Sequence, residues 1–136
     1  MYLSLLSDDE KKAFLGIAVY AAKANDEVTE VEKDMLRAYC QEMSLPEPDM
    51  DHVISYEDAT SLISSSDEPH KKMIMLESLG MLEADRTFDA AEHSFANKLA
   101  DDIGIDRETI PVLDSLLKEY MAVLEKINRA VGLTNR

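Results

Sequence analysis

Ala24-Asn25-Asp26-Glu27-Val28-Thr29-Glu30-Val31-Glu32 and, sixty residues further on, Ala84-Asp85-Arg86-Thr87-Phe88-Asp89-Ala90-Ala91-Glu92 are two versions of one local pattern. In each, an alanine closes a run of helical periodicity, a short polar turn follows, and one apolar residue is inserted. A capping residue then stands three before a glutamate. Thr29-x-x-Glu32 and Asp89-x-x-Glu92 read as capping boxes, in which side chain and backbone satisfy each other's orphan groups at a helix start. The same shift superposes Met35 on Phe95, Tyr39 on Leu99, Met43 on Ile103 and Leu45 on Ile105, and upstream Phe14 on Ile74 and Ala21 on Met81. A period of this length marks one supersecondary unit used twice. A helical hairpin with a following helix cannot bury both its faces alone. The units, about 8–66 and 68–131, are therefore expected to pack on each other about a pseudo-twofold axis.

Outward from the turns the helix period continues and no strand alternation competes with it. Ser7-x-x-Glu10 gives a third capping box, and Pro69 and Pro111 fit first turns where a missing N–H costs nothing. The spacing predicts helices over 8–24, 30–44, 56–66, 68–83, 90–103 and 110–131, with a short turn around 49–54. The last carries an apolar stripe through Val112, Leu113, Leu116, Leu117, Tyr120, Met121, Leu124, Ile127 and Val131, stopped by Gly132, and is expected to brace the bundle. Only four Gly and four Pro punctuate the chain, so one domain spanning 1–136 is expected. Its fold class is all-α, a compact bundle of about six to seven helices built from the two repeats.

The chain has 28 acidic and 14 basic residues among 136, a formal charge of −14. A surface this acidic repels phosphate backbones, which excludes nucleic acid as the expected partner and favours cations or basic proteins. The charge is concentrated: between Ala38 and His70 there is no Lys or Arg, while Glu42, Glu47, Asp49, Asp51, Glu57, Asp58, Asp67 and Glu68 supply eight carboxylates. That stretch reads either as a solvated face or as a docking surface for a basic partner. No signal-peptide pattern and no apolar run approaching the ~18 residues of a membrane span is present, so a cytoplasmic location is expected. Cys40 lies among apolar residues at helical spacing and reads as a buried thiol. The eight Met residues read as core filler or as the lining of an adaptable groove. His52, His70 and His93 form no zinc-type spacing, and no phosphate loop or nucleophile elbow occurs.

The paired turns resemble those of the tellurite-resistance TerB-like family, whose signature is a twice-repeated Ala-Asp-Gly, one residue, an apolar residue, three residues, then Glu. The resemblance covers about Phe14 to Ile105. It implies an all-helical bundle, a divalent cation such as Ca²⁺, Mg²⁺ or Mn²⁺ at the acidic turns, and a role in tellurite or other stress resistance without a catalytic reaction. Carried over residue by residue, it places Asp85, Glu32 and Glu92 at the acidic positions, with Asn25 where Asp is the rule, and Asp26 and Arg86 in place of the glycines. Asn offers a carbonyl ligand but no charge, which weakens divalent binding. The turns also share the second half of a calcium-binding EF-hand loop. A complete loop is excluded because its first and third ligand positions fall on Ala21 and Lys23, or on Met81 and Glu83, inside helices.

Two readings of the turns stand side by side. Glu32 and Glu92 are explained as capping-box residues alone, or they cap and also join Asn25, Asp26 and Asp85 in an oxygen ligand set. The expected function is thus a non-enzymatic TerB-like binding and stress-response module. The alternative is a protein-interaction domain whose acidic face docks a basic or helical partner with no metal.

Overall fold

The computed structural model describes residues 1–24, 28–46, 49–83 and 90–133. Within them a short 3-10 turn, Leu3–Leu5, precedes six helices: α1 (Asp8–Lys23), α2 (Glu30–Glu42), α3 (Tyr56–Ile63), α4 (Glu68–Leu82), α5 (Ala90–Ile103) and α6 (Thr109–Ala130). No strand occurs among the described residues. The fold is the all-α bundle expected from the periodicity. The sixty-residue shift relates the starts of α1 and α4, Asp8 and Glu68, and those of α2 and α5, Glu30 and Ala90.

Capping chemistry sets the starts of α1 and α2, whereas Asp67 before α4 makes no side-chain cap bond. Ser7 Oγ accepts from the Glu10 N–H at 3.2 Å while the Ser7 N–H donates to Glu10 Oε1 at 2.8 Å. Thr29 and Glu32 make the same reciprocal pair at 3.1 and 2.9 Å. The third box, Asp89 with Glu92, has its cap outside the described residues.

Helix α1 is buried almost all round, through Ala13, Phe14, Gly16, Ile17, Ala18, Val19, Ala21 and Ala22, and α4 likewise through Ile74, Met75, Ser78, Leu79, Met81 and Leu82. The two pack together, with α2 and α3 on α1, α5 and α6 on α4, and α3 against α5. Tyr39 of α2 ties the centre: its ring meets Phe14 edge-on at 5.2 Å and its hydroxyl donates to the Glu77 carbonyl at 3.1 Å. Tyr20, Tyr56 and Phe95 join α1, α3 and α5 with ring centroids 4.5 to 6.0 Å apart. Cys40 is buried, as are Met43, Met75 and Met81.

Glu10 and Glu77 enter this interior and both are satisfied. Burial pushes Glu10 up, but bonds from Ser66, the Ser7 N–H and His70 outweigh it and hold the carboxyl below its ordinary range. Glu77 accepts from the Tyr2 N–H at 2.8 Å and pairs with the Met1 ammonium at 2.8 Å.

The boundaries depart from the periodic reading in two places. Helix α2 ends at Glu42 rather than 44, because Ser44 takes a left-handed φ of 58° and the Leu45 N–H turns back to the Cys40 carbonyl at 2.8 Å. This is a Schellman closure. The equivalent closure after α5 uses Gly104, φ 81°, with Ile105 N–H on the Ala100 carbonyl at 2.9 Å. Helix α3 stops at Ile63, where Ser64, Ser65 and Ser66 wind into turns. A third departure concerns packing. Only Ile110 of α6 is buried, with Leu113 and Leu117 against the core, so the helix braces the bundle over its first half and not along its length.

Ser44 bears a Cβ in a conformation that glycine adopts freely, and its repeat-equivalent is glycine already. Ser44→Gly is expected to raise the unfolding free energy by about 0.5–1 kcal/mol, the relieved strain exceeding the added chain entropy. Urea unfolding followed by circular dichroism measures it, and a loss of stability contradicts the strain argument.

Candidate functional site

A cavity of about 400 Å³ opens between α1, α3 and the segment joining α2 to α3. Leu15, Val53, Ile54 and Leu62 make its floor, Leu45 and Pro46 one wall, and Asp9, Lys12, Asp49 and His52 its rim. The joining segment lies this close to α1 because of Gly16. A Cβ there would stand 2.5 Å from the Ile54 carbonyl oxygen, so no side chain fits between helix and segment. Lys23 fastens the segment from α1, donating to the Met50 carbonyl at 3.0 Å. Asp49 shapes the turn: its carboxylate takes the Asp51 N–H at 3.2 Å and meets His52 Nδ1 at 2.6 Å. These two contacts, His52 foremost, hold the exposed Asp49 carboxyl below its usual range.

Around this apolar floor the surface is acidic. Asp8, Asp9, Asp49, Asp51, Glu57, Asp58, Asp67 and Glu68 are all exposed. Their direct cationic neighbours are few: Lys23 approaches Asp51 at 3.9 Å and Lys72 approaches Glu68 at 3.8 Å. Charge at this separation between exposed groups is weakly neutralised, so the rim presents a negative potential to any approaching cation.

A second constellation sits where α4 ends and α6 begins. Burial, reinforced by a hydrogen bond to Asp114 and by its charge, pushes the Glu83 carboxyl up to about 8. Asp114 moves the other way: burial opposes its ionisation, and the bonds from Glu83 and Lys118 prevail. Lys118 Nζ lies 2.9 Å from Asp114 Oδ2. Glu83 Oε2 and Asp114 Oδ1 are buried with no fixed donor among the described residues, and one proton shared between the two carboxyls satisfies both. The charges of Glu92 and His93 at the start of α5 also act on this pair.

Of the sequence-predicted ligands, Asn25, Asp26 and Asp85 lie outside the described residues. Glu32 caps α2 and is half-buried; Glu92 is buried at the start of α5. Among the described residues no group of three or more His, Cys, Asp and Glu side chains is arranged to hold a metal ion. His70 binds Glu10 at 2.8 Å, and His93 is exposed on α5. Neither Glu83 nor Asp114 is distinguishable by spacing, since they are remote in sequence and meet only through the packing of α6 on α4. No protein-family model, curated protein or solved structure matches the chain. Among the described residues no helix is long and apolar enough to cross a membrane.

The carboxyl pair predicts a pH signature. Glu83 holds its proton to about pH 8 when folded and releases it near its ordinary 4.5 when unfolded, so the folded state binds more protons between those values. Stability contributed by this group is full below about pH 4.5 and falls as pH rises through 8; that of Asp114 is lost only in acid. Glu83→Gln retains a donor for Asp114 and removes the charge. The variant is expected to exceed the parent at pH 9 by about 1 kcal/mol, a screened value for a partly exposed group, and to match it near pH 4. Denaturant unfolding across this range checks it.

Proposed function

We propose that the chain is a non-catalytic binding module that docks a basic, amphipathic segment of a partner protein in the cavity between α1, α3 and the α2–α3 segment. The supporting observation is the coincidence of an apolar floor with exposed rim carboxylates, in a chain that has no Lys or Arg between Ala38 and His70. A helix or strand bearing Leu-like side chains on one face and Lys or Arg on its flanks fits both features. The acidic rim speeds encounter and excludes acidic competitors, while the floor supplies the desolvated contact.

A synthetic helical peptide with a leucine face and lysine flanks is expected to bind in fluorescence anisotropy, with affinity falling as salt rises, and a peptide with the lysines replaced by glutamate is not. Asp9→Asn with Asp49→Asn weakens binding about three- to tenfold, with the circular dichroism of the variant checking that the fold is retained. Equal affinity of the two peptides sinks the proposal.

The family resemblance sustains a second reading, a TerB-like stress-response module with a divalent cation at its acidic turns. One observation favours it: Glu83 and Asp114 share a proton beside the second turn, where Glu92 is buried, and a divalent cation replaces such a proton with two positive charges. Chelator-stripped protein is then expected to melt higher with Ca²⁺, Mg²⁺ or Mn²⁺. Glu32→Gln with Glu92→Gln keeps the capping bonds and the metal-free melting point but abolishes the shift. No shift with any of the three ions removes this reading and leaves the first untouched.

A further inference from the structure

We infer that α6 pairs with α6 of a second copy of this chain, antiparallel, about a twofold axis passing between Met121 and Ala122. Helix α6 leaves an apolar stripe uncovered: Val112, Leu116, Tyr120, Val123, Ile127 and Val131 are each between 47% and 67% exposed. At 100° per residue these six fall within an arc of about 100°, which lies beside the arc of Ile110, Leu113 and Leu117 that meets the body and adjoins it at the azimuth shared by Val131 and Leu113.

The order of the stripe identifies its occupant. Its six positions are symmetric about the point between Met121 and Ala122: Tyr120 mirrors Val123, Leu116 mirrors Ile127, and Val112 mirrors Val131. An antiparallel twofold pair therefore places every residue of the stripe opposite an apolar residue of the other copy, the self-complementarity an isologous interface requires. The spacing of four, four, three, four and four keeps the six on one side of the helix, where neighbouring residues can insert between those of the facing helix.

Charge agrees with this register. Along the edge of the stripe farthest from the body stand Glu119 and Lys126. In an antiparallel seam these two positions face each other across the pair, so Glu119 of each copy meets Lys126 of the other, twice per dimer. The helix as a whole is neutral, with Asp114, Glu119 and Glu125 balanced by Lys118, Lys126 and Arg129, although the chain carries −14. A basic partner is suited to the acidic cavity and finds no excess of acid here. A second copy finds a neutral, mirror-ordered surface. Because α6 meets its own body only over its first half, an antiparallel pair sets the two bodies towards opposite ends of the helix pair.

Sedimentation equilibrium of the full chain is expected to give twice the 15.3 kDa chain mass. Val123→Asp, at an exposed position beside the axis, yields a monomer whose circular dichroism spectrum is unchanged. Glu119→Lys alone or Lys126→Glu alone raises the dissociation constant about tenfold, because the twofold makes each reversal act at two pairs. The two together restore the opposite-charge pairing and return the constant to within about threefold of the parent. A monomer mass for the parent at every concentration overturns the inference. So does a double variant no tighter than the single reversals, which would also exclude the antiparallel register if the parent dimerises by another surface.

Discussion

Two helices that are apolar nearly all round cannot face water, and this constraint governs the rest of the molecule. Helices α1 and α4 bury small and large side chains on every side, so each must be sheathed, and neither has enough neighbours within its own repeat. They solve this by packing on each other. The contact is visible in a single pair: Glu10 Oε1 and His70 Nδ1, 2.8 Å apart, occupy equivalent positions of the two repeats. Equivalent residues touch in this way only near an axis relating their units. The polar groups drawn inside are then satisfied locally, Glu10 by Ser7, Ser66 and His70, and Glu77 by backbone and ammonium groups. A buried carboxylate left without such donors would cost several kcal/mol.

The sheath is unequal because the third helices differ. Helix α3 is a short segment of eight residues that covers α1 and reaches α5, while α6 runs for 22 residues and covers α4 with its beginning only. Each inequality leaves a surface. Beside the short α3, the segment from Leu45 to Ile54 closes over α1 at Gly16 and leaves a cavity. Beyond the part of α6 that meets the body, a stripe of apolar side chains has no neighbour. The packing of α1 on α4 makes the core, and the difference between α3 and α6 leaves both candidate contact surfaces.

What the sequence discloses follows the same division. The helix period, the capping boxes and the sixty-residue match depend on residues near one another or on a fixed shift, and α1 and α2 begin where Ser7 and Thr29 cap them, with α4 and α5 starting sixty residues further on. Helix ends were less legible. Ser44 in a left-handed turn breaks the usual preference for glycine, so the stop signal present at Gly104 is missing from its equivalent. Periodicity shows that one face of α6 is apolar but not what covers it, which is why bracing along the full length was the natural expectation. The Glu83–Asp114 pair and the cavity floor arise from packing between remote segments. No spacing rule anticipates either.

The charge distribution separates the two surfaces physically. Copies of a chain bearing −14 repel one another over about a Debye length, roughly 10 Å at 0.1 M salt. Self-association through the acidic cavity would bring carboxylates together, so that surface selects against its own kind and for a cationic partner. Helix α6, locally neutral and mirror-ordered, is where repulsion between copies is smallest and apolar contact greatest. The same excess charge thus assigns opposite occupants to the two faces: a basic foreign segment where the field is strong, and a second copy where the helix cancels it.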